Sequence, residues 1–314
     1  MSDLFIVAFG GNALNSPGGD GSVSEMSANI QKALSSLLPI LQAGNRLVIT
    51  HGNGPQVGME MLKNDAGKSL YDTSVFPLDV LVAATQGQIG YLIECQLRNI
   101  LSDNGLRHEV SGMISMIEVD SDDPAFTRPE KRVGKTYYDA SEVAKLQQEK
   151  KWQFAEEIKN GKKGWRRVVP SPEPKHIVNK KSLRTLVDAG IIVVAGGGGG
   201  IPVVRSNGFL QGVEAVIDKD RATALLAEEL SADRMIILTD VPYVYLDYGT
   251  PNAERLFRIS LAEADMLIKE GVFGKGNMLP KIQAAYRFVK RTGHPAVITD
   301  FDGLQAGSGT EIVP

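Results

Sequence analysis

The chain has 314 residues, of which 43% are hydrophobic and 23% charged, ordinary proportions for a globular protein. A net charge of −3 supplies no basic face for nucleic acid, and a single cysteine, Cys95, excludes an intrachain disulfide and suits a reducing compartment. The apolar run at 4–9 is too short for a signal peptide, and no stretch approaches the roughly 18 apolar residues of a membrane span. The expectation is a cytoplasmic protein with neither nucleic acid nor membrane as partner.

In chain order, short apolar runs at 5–9, 47–50, 113–119, 191–195, 235–239 and 296–299 each close on glycine, proline or a polar cluster. Most lack alternation, as strands of a parallel sheet do when buried on both faces. Between them lie stripes of helical period. The first runs from Met26 to Leu41 with Gly44 beyond it, the second from Ile89 to Leu101 with Gly105 beyond it, and the third from Ala222 to Leu230. Strands alternating with helices predict an α/β fold, a three-layer α/β/α sandwich around a mainly parallel central sheet. Residues 122–174 break the pattern with charge and proline, which predicts a small protruding subdomain, or lid, within one 1–314 domain.

Three of the strand runs end in glycine-rich turns: Gly10-Gly11-Asn12-Ala13, His51-Gly52-Asn53-Gly54 and the run from Gly196 to Gly200. Ligands collect at the carboxyl ends of strands in open α/β sheets, and consecutive backbone N–H groups freed by glycine make a nest for phosphate. One such loop is only a tight turn; three at equivalent strand ends point to an anion site. No Walker A sequence occurs, and a dinucleotide fingerprint fails because Ile201 stands where the third glycine belongs.

Phosphoryl transfer requires positioned cations rather than covalent help. Lys219 lies between Asp218, a helix N-cap candidate, and Asp220, which can hold an ammonium toward a phosphate or form an ordinary surface pair. Lys281 follows a glycine-bearing loop and Pro280, a residue suited to a first helical position. Lys131 lies in the protruding segment. Taken alone, Lys281 and Lys131 read as solvated charges. His51 after a strand reads as a hydrogen-bonded structural histidine more readily than as a base. The four histidines and Cys95 show no metal-ligand spacing, and no Gly-x-Ser-x-Gly elbow is present.

Together, Gly10-Gly11-Asn12-Ala13-Leu14, His51-Gly52-Asn53-Gly54-Pro55, Asp123-Pro124-Ala125-Phe126, Trp165-Arg166-Arg167-Val168-Val169-Pro170-Ser171-Pro172, Thr239-Asp240-Val241 and Met278 to Lys281 resemble the carbamate kinases of the amino acid kinase superfamily. The resemblance implies reversible transfer of a phosphoryl group between ATP and carbamate, with Mg2+ carried on ATP or ADP and a homodimeric assembly. It implies that Gly10, Gly11, Asn12, Gly52 and Asn53 cradle carbamate and the moving phosphoryl group. Lys131 would reach the substrate, Lys219 and Lys281 would clamp phosphoryl oxygens, and Asp220 would orient them. Asp240, Val241, Tyr245, Gly276, Asn277 and Met278 would hold the nucleotide. Asn277, Leu279, Arg132 and Val272 depart from the usual serine, glycine, proline and histidine. A kinase of another small carboxylate and a non-catalytic nucleotide sensor are the alternatives.

Overall fold

The structure, a computed structural model, describes residues 2–10, 14, 19, 21–159, 161–273 and 278–314. In chain order its elements are β1 (Leu4–Phe9), α1 (Val23–Ser35), α2 (Leu38–Gln42), β2 (Arg46–His51), α3 (Gly54–Tyr71), α4 (Leu78–Asp103), β3 (Val110–Gly112) and β4 (Met116–Val119). Then come β5 (Lys131–Tyr137), α5 (Ala140–Lys150), β6 (Gln153–Lys159), β7 (Lys162–Val169), β8 (Pro174–Ile177), α6 (Lys180–Asp188), β9 (Ile192–Val194), β10 (Ile201–Ser206) and β11 (Phe209–Gly212). The chain closes with α7 (Lys219–Leu230), β12 (Arg234–Leu238), β13 (Val244–Leu246), β14 (Glu254–Leu256), β15 (Arg258–Ser260), α8 (Leu261–Lys269), α9 (Met278–Thr292), β16 (Ala296–Thr299), α10 (Phe301–Ala306) and β17 (Thr310–Val313).

The main sheet runs β15-β17-β16-β12-β1-β2-β9-β3, and every pair is parallel except β16 with β17. Its strands are apolar on both sides because both sides are covered. On β1, Leu4, Ile6 and Ala8 face a core built with α6, α7, α8 and α9, while Val7 and Phe9 face one built with α1, α2 and α4. That is the three-layer arrangement, and it sets the carboxyl ends of β12, β1, β2 and β9 side by side. No described helix is long and apolar enough to cross a membrane.

Two expectations need correcting. The stretch 113–119 is not one strand: Val110–Gly112 belongs to the main sheet and Met116–Val119 to a second sheet, β11-β10-β4-β8. Between them Gln86 of α4 clasps the Ser115 backbone, accepting from its N–H at 2.8 Å and donating to its carbonyl at 3.2 Å, which fixes the turn. The 26–41 stripe is two helices. Pro39 in the first turn of α2 lacks the N–H an uninterrupted helix would use and disfavours helical geometry at Leu38.

The 122–174 stretch contains a separate antiparallel sheet, β5-β7-β6, with α5 between β5 and β6. Its root is anchored: Val133 and Val169 are buried in one cluster with Val57 of α3, Leu81 of α4 and Val203 of β10. Helix α3 approaches β5 so closely that a Cβ on Gly58 would lie 2.6 Å from Gly134 Cα. Gly58→Ala gains about 1 kcal/mol of helix propensity. Overpacking against backbone costs about 1–3 kcal/mol, so the expected result is a lower denaturation midpoint despite the better helix former; a raised midpoint would show that β5 can give way.

Candidate active site

Beyond the carboxyl ends of β1, β2 and β9 lies a cavity of about 390 Å³, lined among others by Gly52, Asn53, Lys131, Asp218, Lys219 and Lys281. Asp218 caps α7, its Oδ1 accepting from the Asp220 N–H at 2.9 Å. The other oxygen is also engaged: Lys131 Nζ donates to Asp218 Oδ2 at 2.7 Å from β5. Asp220, only 3% exposed, takes a lysine on each oxygen, Lys219 Nζ on Oδ1 at 2.6 Å and Lys281 Nζ on Oδ2 at 2.9 Å. The first of these is not the surface ion pair that sequence allows for, and Lys281, 7% exposed, is not a solvated helix residue.

The electrostatics follow from burial. At Asp220 desolvation opposes ionisation, but Lys219 and Lys281 outweigh it and hold the carboxyl below its ordinary range. At Asp218 desolvation is likewise overcome, by the charge and hydrogen bond of Lys131 and by Lys219. Lys219 is drawn below an ordinary lysine by burial, with Lys281 adding repulsion and Asp220 opposing both. Two ammonium groups on one buried carboxylate leave an excess positive charge facing the cavity.

The surrounding frame holds these groups in place. Thr223 donates to the Lys219 carbonyl at 2.7 Å and contacts Thr50 Oγ1 of β2 at 2.7 Å, tying the first turn of α7 to the sheet. Asn53 donates to Thr85 Oγ1 at 2.9 Å and starts α3. The glycine run packs beneath them: a Cβ on Gly198, at φ +64°, would lie 2.2 Å from Asn53 Nδ2. Gly10 follows β1 against the Leu238 carbonyl, with no room for a side chain.

Gly11, Asn12, Gly276 and Asn277 lie outside the described residues. Asp240, Val241, Tyr245 and Met278 line a second cavity of about 590 Å³ beyond β12, with Tyr248, Val272 and Phe273. Asp240 and Val241 follow β12 in a turn, and Tyr245 belongs to the short β13. Met278 and Lys281 are one helical turn apart at the start of α9, so this turn joins the two cavities. Pro280 stands third in α9 rather than first; its missing N–H still has no intrahelical partner to lose there. Sequence reasoning misses Arg166 as a lining residue and the second role of Asp218. Capping alone accounts for Asp218 in the sequence, and its lysine partner lies 87 residues away.

His51 is 1% exposed, with Nδ1 2.9 Å from the Gly52 carbonyl, to which it donates. Burial is the main cause of its pKa falling from 6.5 to about 4; Lys219 adds to it and the Gly52 hydrogen bond opposes it. It is therefore neutral near pH 7 and structural. Because its folded pKa lies below the unfolded value, the unfolded chain takes up the proton first. Its contribution is full above about pH 6.5 and is lost as the pH falls toward 4, about 3 kcal/mol in all. Denaturation midpoints from pH 7.5 to 4 should fall more steeply for the wild type than for His51→Asn; parallel curves would refute the assignment.

The amino acid kinase family model matches residues 3–300. A carbamate kinase of Pyrococcus horikoshii is 45% identical, covering 100% of this chain and 100% of its own. One from Halobacterium salinarum is 42% identical over 98% of both chains. The solved structure of carbamate kinase from Giardia lamblia bound to AMP-PNP superposes with a TM-score of 0.90 at 37% identity, covering 99% of this chain and 98% of that one. With matches of this length and identity, the chain belongs to the amino acid kinase family and, within it, to the carbamate kinases.

Proposed function

We propose that this chain transfers a phosphoryl group reversibly between ATP and carbamate, using the Lys219–Asp220–Lys281 cluster as the phosphoryl clamp. The observation that carries this reading is the buried excess charge: two ammonium groups fixed by one carboxylate face a cavity at the carboxyl ends of parallel strands. A tetrahedral or metaphosphate-like anion would neutralise it, and such preorganised donors stabilise a phosphoryl transition state without reorganisation.

In this reading a carbamate oxygen attacks the γ-phosphorus while the bond to the β,γ-bridging oxygen breaks and ADP leaves, with no phosphoenzyme. Carbamate is already an anion, so no general base is needed, in keeping with a neutral, buried His51. Lys131 contacts the carbamoyl group, and Gly10, Gly52 and Asn53 surround the reacting atoms. The base and ribose occupy the cavity of Asp240, Val241, Tyr245 and Met278; the AMP-PNP bound to the Giardia relative supports a nucleoside triphosphate as ligand. Among the described residues no cluster of three acidic, histidine or cysteine side chains offers a metal cage. In this reading magnesium would be carried by the nucleotide and would supply charge neutralisation at its phosphate oxygens, as a hard cation with oxygen ligands does. Homodimeric assembly and a cytoplasmic location belong to the same proposal.

The cluster separates catalysis from stability. Lys281→Met removes the excess charge but leaves Asp220 paired with Lys219, so thermal stability should be kept or raised. Turnover should fall about 100- to 1000-fold, the ordinary cost of losing one preorganised donor. Near-normal turnover would remove Lys281 from the clamp.

The reaction itself is tested by ATP formation from ADP and fresh carbamoyl phosphate with magnesium, against acetyl phosphate and an enzyme-free control. ATP production specific to carbamoyl phosphate and lost in Lys219→Met is the expected result. No ATP from folded, magnesium-supplied protein would overturn the proposal and favour another carboxylate kinase or a nucleotide sensor.

A further inference from the structure

The Trp-Arg-Arg motif of β7 is only partly used by the site described so far. Successive side chains of a strand point to opposite faces, and on β7 this separates two neighbouring arginines. Arg166 lines the lysine cavity, whereas Arg167 lines a different one, of about 530 Å³, between β6 and β7 on one side and α3 and the start of α4 on the other. This third cavity, beside Arg167, has no part in the proposed transfer.

Its construction is that of a ligand site. The Arg167 side chain is only 15% exposed, and its nearest carboxylate oxygen, on Glu214, lies 4.0 Å away. Among the described residues its guanidinium takes part in no hydrogen bond, although it carries five donors in a planar fork. One face is occupied, since the guanidinium carbon stacks 4.2 Å from the centre of the Trp152 ring. Burial lowers the pKa of Arg167 even though Glu214 and Asp65 oppose it, so the carboxylates nearby do not make up for the water it has lost. Glu214 also accepts from the Leu78 N–H at 3.1 Å, and Asp65 is engaged by Lys150. The rest of the wall is mixed: Met61, Val75, Leu81 and Phe126 form an apolar side, and Asn64, Lys150, Lys151 and Gln153 a polar one.

We propose that this cavity is a second, non-catalytic binding site for a small organic anion. Its carboxylate or phosphate group pairs with the Arg167 fork, and its apolar body lies against Val75, Leu81 and Phe126. A planar guanidinium with free donors suits such a head group bidentately, and the cavity volume lies within the range of small-molecule sites.

The occupant would act on the neighbouring site through one strand pair. Arg167 stands opposite Val133 in the β5–β7 register, and Lys131 stands opposite Val169 in the same ladder. An anion held between Arg167 and the α3 wall ties β7 to the body of the protein and favours the arrangement in which Lys131 reaches Asp218. The occupant therefore lowers the KM for the carbamoyl substrate. This kinetic half rests on the reading of Lys131 as a substrate contact; the binding half does not.

Calorimetric titration of the full chain with phenyl phosphate, phenylacetate and inorganic phosphate tests the site. One equivalent of an organic anion should bind the wild type, and Arg167→Lys, which keeps the charge but loses the fork, should weaken it about tenfold or more. Val75→Trp fills the mouth from a position 52% exposed, so it spares the core and should abolish binding even if the arginine variant folds poorly. Lys219→Met should leave binding unchanged. Loss of binding in Lys219→Met with retention in Arg167→Lys would place the anion in the lysine cavity and overturn the proposal. Absence of millimolar binding by either organic anion would overturn it too, as would inorganic phosphate binding equally well. Saturating phenylacetate should also lower the KM for carbamoyl phosphate by about fivefold, the low end of ordinary coupling, in the wild type but not in Arg167→Lys. An unmoved KM with calorimetric binding intact overturns the coupling alone. No turnover of carbamoyl phosphate at all counts against the proposed reaction, and the binding site then stands or falls on the calorimetry.

Discussion

The Asp220 carboxylate, shared between Lys219 and Lys281, is the interaction on which the rest of the structure depends. A buried charge must be paired and hydrogen-bonded to be tolerated, and here one anion serves two cations. Asp218 eases the mismatch only in part, because Lys131 already engages it. Lys281 lies near the N-terminus of α9 and Lys219 begins α7, ends whose dipoles already favour negative charge. Asn53 and Gly54, at the N-terminus of α3, line the same cavity. Three positive helix ends and an unneutralised ammonium meet in one place, and an anion is what would balance them. A cluster chosen for folding stability alone would have a second carboxylate where the cavity lies open.

Holding that arrangement demands a rigid frame at close quarters, which explains the density of small residues around it. Gly197 and Gly198 lie where side chains would strike His51 and Asn53, and Gly199 where one would strike the Ile217 carbonyl. The glycine run is therefore a wall made thin enough for β2, α3 and the segment before α7 to meet. Thr50, Thr223 and Lys219 then carry the position of the sheet into the first turn of α7 through two short hydrogen bonds. The lysine heads are aimed by the backbone as much as by their own side-chain contacts.

The legible part of this architecture is the part written in local pattern. The run at 296–299 coincides with β16, and those at 5–9, 47–50, 191–195 and 235–239 fall on β1, β2, β9 and β12 within a residue or so, because burial on both faces leaves an unmistakable apolar run. Local pattern fails where a side chain from elsewhere decides the outcome. Gln86 splits 113–119 from a distance of 29 residues; Pro39, by contrast, is a local break inside its own stripe, masked by the apolar periodicity around it. The site is legible in fragments. The capping role of Asp218 is a three-residue pattern and can be read, whereas the Asp220–Lys281 pair spans 61 residues and the Lys131–Asp218 pair 87. No spacing rule connects such positions, so only the family resemblance brings the three lysines together. Arg167 carries no signal of its own: beside Arg166 it reads as one more charge, and only the pleat of β7 separates the two.

That pleat bears on how the outer sheet is joined to the body of the protein. Val133 and Val169, at the root of that sheet, are buried in a core shared with α3, α4 and β10. The close approach of Gly134 to Gly58 adds a point where β5 rests on α3 with nothing between the backbones. The root of the outer sheet is therefore held by two contacts, one of packed side chains and one of backbone on backbone. Lys131 of β5 and Arg166 of β7 line the lysine cavity, while Arg167 of β7 and Trp152, just before β6, line the cavity against α3. One three-stranded sheet thus forms a wall of each cavity, which is the structural basis on which a ligand in one can bear on the other.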